Sequence, residues 1–250
     1  MNDIFEHIER KVYKRTFLQQ VDVRLEYPIL KKDELTSELV GSVDEFFKNH
    51  FQMEQSEIPL SEKEMFLKDD EQQLALSFTP VASMLSVGYK NYSTFDDSVL
   101  PYLDPLKEYV FNVLGKRDVK AYLRKVNVFS FENQIELPQE KQERLFLQNV
   151  FSASFLNSEE SKSRVKIDGE ETEMSVRNFK ADEFTLEIRT YFLHRENGLI
   201  SLFLDSIVNF NAESSNLEDW LKTANSLLYD SYHWAVSEGI INIMNNDAEV

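Results

Sequence analysis

Between Leu199 and Phe210 apolar side chains fall on both faces of one extended run. Ile200, Leu202, Leu204, Val208 and Phe210 share one face, and Leu199, Phe203 and Ile207 share the other. Strand side chains alternate between faces, so this run predicts a strand central in its sheet or covered by helices. Its only charge is Asp205, which alternation puts beside Phe203 and Ile207. A carboxylate in that setting needs a partner or a raised pKa. Arg124, Arg189 and Arg195 are the candidate partners.

Other runs alternate as well. Val21, Val23, Leu25 and Tyr27 interleave with Asp22, Arg24 and Glu26 and end at Pro28, which reads as a half-buried strand. Leu74, Leu76 and Phe78, then Val81, Ser83, Leu85, Val87 and Tyr89, flank Pro80 as a hairpin, and residues 65–67 predict a short strand before it. Residues 121–131 are β-branched and aromatic, free of Gly and Pro, and read as a strand. Phe184, Leu186, Ile188 and Phe192 follow the same rule. Asp168-Gly169 is the strongest hairpin turn in the chain. Its flanks are poorly apolar, so the charged hairpin of 157–182 is expected at an edge or projecting.

Helical spacing appears between these strands. Ile4, Phe5, Ile8 and Val12 predict a short N-terminal helix capped by Asn2 or Asp3. Leu35, Leu39, Val43, Phe46 and Phe47 predict a second, with Asp33 and Glu34 at its start. Asp104 and Pro105 open a third, which buries Leu106, Tyr109, Val110, Val113 and Leu114 and stops at Gly115. A fourth runs from Pro138 with Leu145, Phe146 and Val150 inward. The last starts at Asn216 and reaches about Met244, bending or ending near Gly239. It shows one stripe at Leu217, Trp220, Leu221, Ala224, Leu227 and Leu228 and a second at Tyr229, His233, Ile240 and Met244. Two stripes imply burial between layers or a partner surface, and Tyr229, Ile240 and Met244 are the partner-surface candidates.

Strand, helix, two strands, helix thus occurs twice. The expectation is an α+β fold of two similar βαββα halves, with mainly antiparallel sheets packed by helices. Residues 1–118 form the first half with its N-terminal helix. Residues 119–250 form the second, with the inserted hairpin and the long terminal helix.

Composition narrows the function. With no Cys there is no disulfide framework, thiolate metal site or Cys nucleophile. The 44 acidic residues outnumber the 27 basic ones, a net charge of −17, which argues against general nucleic-acid binding. No run approaches the roughly 18 apolar residues of a membrane span. The N-terminus lacks a basic region followed by an apolar one, so the expected location is cytoplasmic. The six Gly set up no phosphate-binding loop, no G-x-S-x-G elbow occurs, and the four His are scattered. No catalytic residue, metal or cofactor is expected. Arg124, Asn127, Asp205 and His233 are the candidates for a ligand site or polar network. Lys116, Arg117, Lys120, Arg124 and Lys125 are the one dense basic cluster.

Leu123-Arg124-Lys125-Val126-Asn127 resembles the L-R-aromatic-I-N strand of a sporadically distributed family of bacterial proteins of about this size, for which no activity is established. Tyr27-Pro28, Tyr89 with Tyr92-Ser93-Thr94-Phe95, Leu204-Asp205 and His233 agree in order. Lys125 stands where the family has an aromatic, and Gly239 and Ile240 stand near a second such position. The family's patchy occurrence resembles that of toxin–antitoxin and anti-phage genes. The chain therefore reads first as a non-catalytic interaction protein, an accessory or regulatory subunit with a protein partner or a second copy of itself. A small-ligand or enzyme site between the halves is the alternative, and nucleic-acid binding a further one.

Overall fold

Nine strands hydrogen-bond into one sheet in the order β2-β3-β4-β1-β5-β9-β8-β7-β6. They are β1 (Leu18–Glu26), β2 (Met65–Asp69), β3 (Leu74–Phe78), β4 (Ala82–Gly88), β5 (Val119–Glu132), β6 (Ser161–Ile167), β7 (Glu170–Ala181), β8 (Phe184–His194) and β9 (Leu199–Ala212). The helices are α1 (Ser37–Phe51), α2 (Phe95–Ser98), α3 (Leu103–Lys107), α4 (Gln139–Val150), α5 (Ala153–Leu156), α6 (Leu217–Ala235) and α7 (Glu238–Asn245). The fold is α+β, with antiparallel pairing and a long helix near the C-terminus. This computed structural model describes residues 5–13, 15–51, 64–69, 73–132, 137–194 and 198–245. The predicted caps at Asn2 or Asp3, most of the acidic stretch 52–72, Arg195 and Asn197 lie outside them.

The chain packs as two compact units, one of them formed by Gln20–Leu123 and Asn209–Thr223. In it β1 pairs with β4 so that Val23 stands opposite Leu85, and both are fully buried. Thr36 caps α1 by accepting the Leu39 amide at 3.1 Å. The predicted cap region at Glu34 instead closes the preceding turn, its carboxylate accepting the Lys31 amide at 2.6 Å. Phe46 and Phe47 of α1 meet Tyr109, and Phe78 lies 5.0 Å from the same ring in an edge-on contact. After α3 the backbone widens into a π-helix over Glu108–Val113. The Leu114 amide bonds to the Tyr109 carbonyl, five residues back. That widening lets three successive side chains, Tyr109, Val110 and Phe111, all be buried. A regular helix would have turned Phe111 outward. Gly115 ends the segment at φ 60°.

The other unit holds the N-terminal segment to Gln19, Arg124–Val208 and the helices from Ala224. Phe146 of α4 stacks on Phe131 of β5 with ring centroids 4.1 Å apart. Val150 is buried as expected, but Leu145 points to solvent and Gln142 takes the inward position, its amide donating to the Leu137 carbonyl. Asp168 and Gly169 both have positive φ (51° and 91°), so β6 and β7 are joined by the two-residue turn the sequence signals. β6 ends the sheet and is exposed at most positions.

Two predicted helices change form. The last one stops at Ala235 rather than running on to Met244. Val236 bridges to Phe151, the Ser237 amide donates to the Val150 carbonyl, and Ser152 caps the Ala235 and Trp234 carbonyls. α7 then restarts at Glu238, with Gly239 inside its first turn. At the other end, residues 6–13 carry helical spacing but run without regular secondary structure. Their amides have better partners outside the segment. Asp230 accepts from Ile8 and the Tyr229 hydroxyl from Lys11, bonds a helix would have satisfied internally.

Candidate functional site

Arg124 lies on β5 and Asp205 on β9, neighbouring strands of the sheet. The guanidinium grips the carboxylate with two bonds, Nε to Oδ1 at 2.7 Å and Nη2 to Oδ2 at 2.9 Å. The Asp205 side chain is 3% exposed and that of Arg124 36%. A planar fork matches both carboxylate oxygens, which satisfies this enclosed acid in two directions at once. On the same β9 face, Phe203 stacks on Tyr191 of β8, rings 4.9 Å apart and 5° from parallel. Burial, reinforced by the Asp205 charge, raises the Tyr191 phenol above its ordinary range. Ser130 and Ser201 share a hydrogen bond of 3.0 Å farther along these strands. Arg189, another predicted partner of Asp205, instead pairs with Glu187 two residues away.

Asn127 is three residues from Arg124, so alternation puts it on the opposite face, with Phe129 and Phe131, where it is buried. His233 belongs to a separate cluster on α6. Its Nδ1–H donates to the Tyr229 carbonyl at 2.9 Å, leaving Nε2 to accept from the Tyr13 hydroxyl. Burial lowers the His233 pKa; Lys11 acts the same way, while the Tyr229 carbonyl and Asp230 oppose it. Of the four candidates, the structure brings together Arg124 and Asp205 alone.

The second stripe of the terminal helices is occupied by this chain. Ile240 and Met244 are buried, and Tyr229 accepts from Lys11. The Tyr232 hydroxyl donates to the Met244 sulfur at 3.3 Å, and the Arg15 amide to the Met244 carbonyl. His7 Nδ1 lies 3.1 Å from Asp230, and Phe5 packs against Trp234 and Phe179. Residues 5–13 and Arg15 thus form a strap along α6 and α7.

The basic cluster does not share one face. Arg124 is held by Asp205, and Arg117 donates to the Phe111 and Lys116 carbonyls. Burial lowers the Lys116 pKa. Lys125 points away from Arg124. Part of its surface stays exposed, yet desolvation, with Arg10 nearby, pushes its ammonium down to about 7.

One buried group escaped the sequence reading because it stands inside the charged stretch. Arg177 of β7 is 3% exposed. Its Nε donates to Ser158 Oγ at 2.8 Å, Nη2 pairs with Glu160 at 2.7 Å, and the guanidinium lies 4.0 Å over the Phe155 ring. The repeated Ser, Glu and Arg of 157–182 gave no spacing that would single it out.

Chemically, the Asp205 carboxylate is taken up by Arg124. Both carboxylate oxygens are engaged, and a guanidinium cannot serve as a base. Among the described residues no three His, Asp or Glu side chains gather where a metal ion could be held, and no helix is long and apolar enough to cross a membrane. The chain matches no family model, no curated protein and no solved structure.

Proposed function

We propose that this chain is a non-catalytic interaction protein, an accessory or regulatory subunit that binds another protein. The carrying observation is the position of β6. The reading includes an internal duplication into βαββα halves, residues 1–118 and 119–250. In it the charged hairpin of β6 and β7 is the addition to the second half, and the sheet order puts that hairpin at one end. β6 is its outer strand, exposed at five of its seven positions, so it contributes little to the core. A strand retained outside the core fits recognition better than stability.

The test shortens the hairpin, giving up the bonds of Thr172 to the Phe192 carbonyl and of the His194 amide to Glu170. Ser163 stands opposite Met174 in the β6–β7 register. Replacing residues 164–173 by Asn-Gly rebuilds a two-residue turn there. Wild-type protein purified natively from its source cells at moderate salt is expected to carry a stoichiometric protein companion. The shortened chain is expected to fold and to lose it. A folded, shortened chain that keeps the companion at full stoichiometry sinks the role of the hairpin.

A further inference from the structure

We infer that the outer edge of β6 is a docking edge for an extended, acidic segment of a partner protein, which adds to the sheet as a tenth strand. This rests on the interaction reading and names its surface and the chemistry of its partner.

The turn decides which backbone groups are available. In a two-residue hairpin of this type the flanking residues exchange both hydrogen bonds. Ile167 and Glu170 are that pair here. Bonded and non-bonded pairs then alternate along an antiparallel ladder. Ser161, Ser163, Val165 and Ile167 therefore bond inward to β7. Lys162, Arg164 and Lys166 turn their N–H and C=O groups outward. No described strand lies beyond them.

The same three residues are the basic ones. Their side chains share one face and are exposed. They sit in a chain of net charge −17, and the acids facing them lie on β7, Glu173 opposite Arg164 and Glu171 opposite Lys166, so the cations form the outer row of the hairpin. Lys162 pairs with Glu173 at 3.0 Å and lies 3.6 Å from Glu160. Glu173 stands opposite Arg164 but is bonded to Lys162 instead. An incoming strand with Asp or Glu at every second position would set a carboxylate beside each of the three cations. Its backbone would satisfy their outward groups.

The pattern also disfavours a second copy of this chain at the edge. Antiparallel self-pairing centred on Arg164 would put Lys162 opposite Lys166 and Arg164 opposite itself. Like charges directly opposite destabilise a strand pair. A basic edge thus rejects itself and other basic strands and admits an acidic one.

The test uses the full chain and a fluorescein-labelled peptide, Thr-Glu-Val-Glu-Thr-Glu-Val, with the Lys-for-Glu peptide as control. Fluorescence anisotropy is expected to show saturable binding of the acidic peptide alone, weakening as salt rises. Arg164→Pro removes one outward N–H and leaves the β6–β7 bonds, which use its neighbours, in place. It is expected to weaken binding about tenfold or more. The surface variant Lys162→Glu/Arg164→Glu/Lys166→Glu is expected to abolish it. No binding of the acidic peptide by the wild type, or equal binding by the triple variant, overturns the proposal; in the second case the edge is only a shield against aggregation. Native purification separates this from the broader reading. A companion kept by the triple variant overturns the acidic edge and leaves the interaction reading standing. Peptide binding with no companion on the wild type removes the interaction reading and, with it, the partner protein proposed for this edge.

Discussion

Arg124 and Asp205 are unequal partners, because the Asp205 side chain is almost fully enclosed while that of Arg124 is 36% exposed. Breaking the pair from either side should therefore not cost the same. Arg124→Met strands a buried negative charge and is expected to cost about 2–3 kcal/mol of stability. Asp205→Asn keeps an acceptor for the guanidinium, which can also turn to water, and should cost about 1–2 kcal/mol. Urea denaturation of both variants and the double variant checks this. The double variant should cost less than the sum. Equal single costs that simply add would mean the fork contributes no coupling.

Lys125 makes a prediction of opposite sign. Its folded pKa is lowered to about 7 from 10.5, with burial the main cause. Between those values the unfolded chain holds more protons at this residue than the folded one. Stability from this group therefore rises with pH across that window, and its penalty is fully present below about 7. Lys125→Met removes the penalty and keeps the length of the side chain. The variant should melt higher than wild type, by more at pH 6 than at pH 9. A constant difference across that range would show that the ammonium is solvated in the folded protein.

Gly88 and Gln73 are coupled by space. The Gly88 amide donates to the Gln73 carbonyl at 2.8 Å. A Cβ built at Gly88 would lie 2.7 Å from the Gln73 Cβ, and Gln73 has φ 49°. Gly88→Ala is expected to cost about 1–3 kcal/mol by overpacking. Gln73→Gly removes the obstructing side chain and relieves a left-handed backbone, so it should be neutral or stabilising. The double variant should recover most of the loss in thermal melts. A Gly88→Ala variant as stable as wild type would show that the turn shifts freely.

What could be read in the sequence follows the range of the forces involved. Alternation in β1, β3, β4, β8 and β9 is a local pattern, and those strands form where the spacing predicts. The Asp168-Gly169 turn is equally local, because its positive φ values follow from the two residue types. Leu145, Phe111 and the N-terminal segment were not legible in the same way. Leu145 sits at an inward spacing, but α4 turns Gln142 inward instead. Phe111 is buried through a π-helix that no residue spacing announces. Phe5, Ile8 and Val12 match a helix, yet Asp230 and Tyr229 capture the backbone amides from more than 200 residues away. For the site, Asp205 needed a partner and Arg124 was among those named. That Asn127 and His233 stand elsewhere follows from strand alternation and from Tyr13, whose distant position in the chain hid it.

His233 supplies the last prediction, which concerns the strap of residues 5–13. Its Nε2 accepts from Tyr13 only while the ring is neutral. Burial holds the His233 pKa below 6.5; Lys11 pushes the same way, and the Tyr229 carbonyl and Asp230 oppose. The unfolded chain therefore protonates first as pH falls. Stability from this group is complete above about 6.5 and is lost as pH drops toward the folded pKa. Protonation puts a charge on a partly buried ring whose Nε2 must then donate to the Tyr13 oxygen instead of accepting from it, so the strap should loosen before the sheet does. The Ile8 and Lys11 amides, held by Asp230 and Tyr229, report on it directly. Hydrogen exchange at these two amides should quicken between pH 7 and pH 5 beyond the intrinsic change in exchange chemistry, while β9 stays protected. Tyr13→Phe removes the donor and should expose both amides at pH 7, flattening that dependence. If both amides stay protected at pH 5 in the wild type, the strap is held by Phe5, Trp234 and Asp230 rather than by the imidazole.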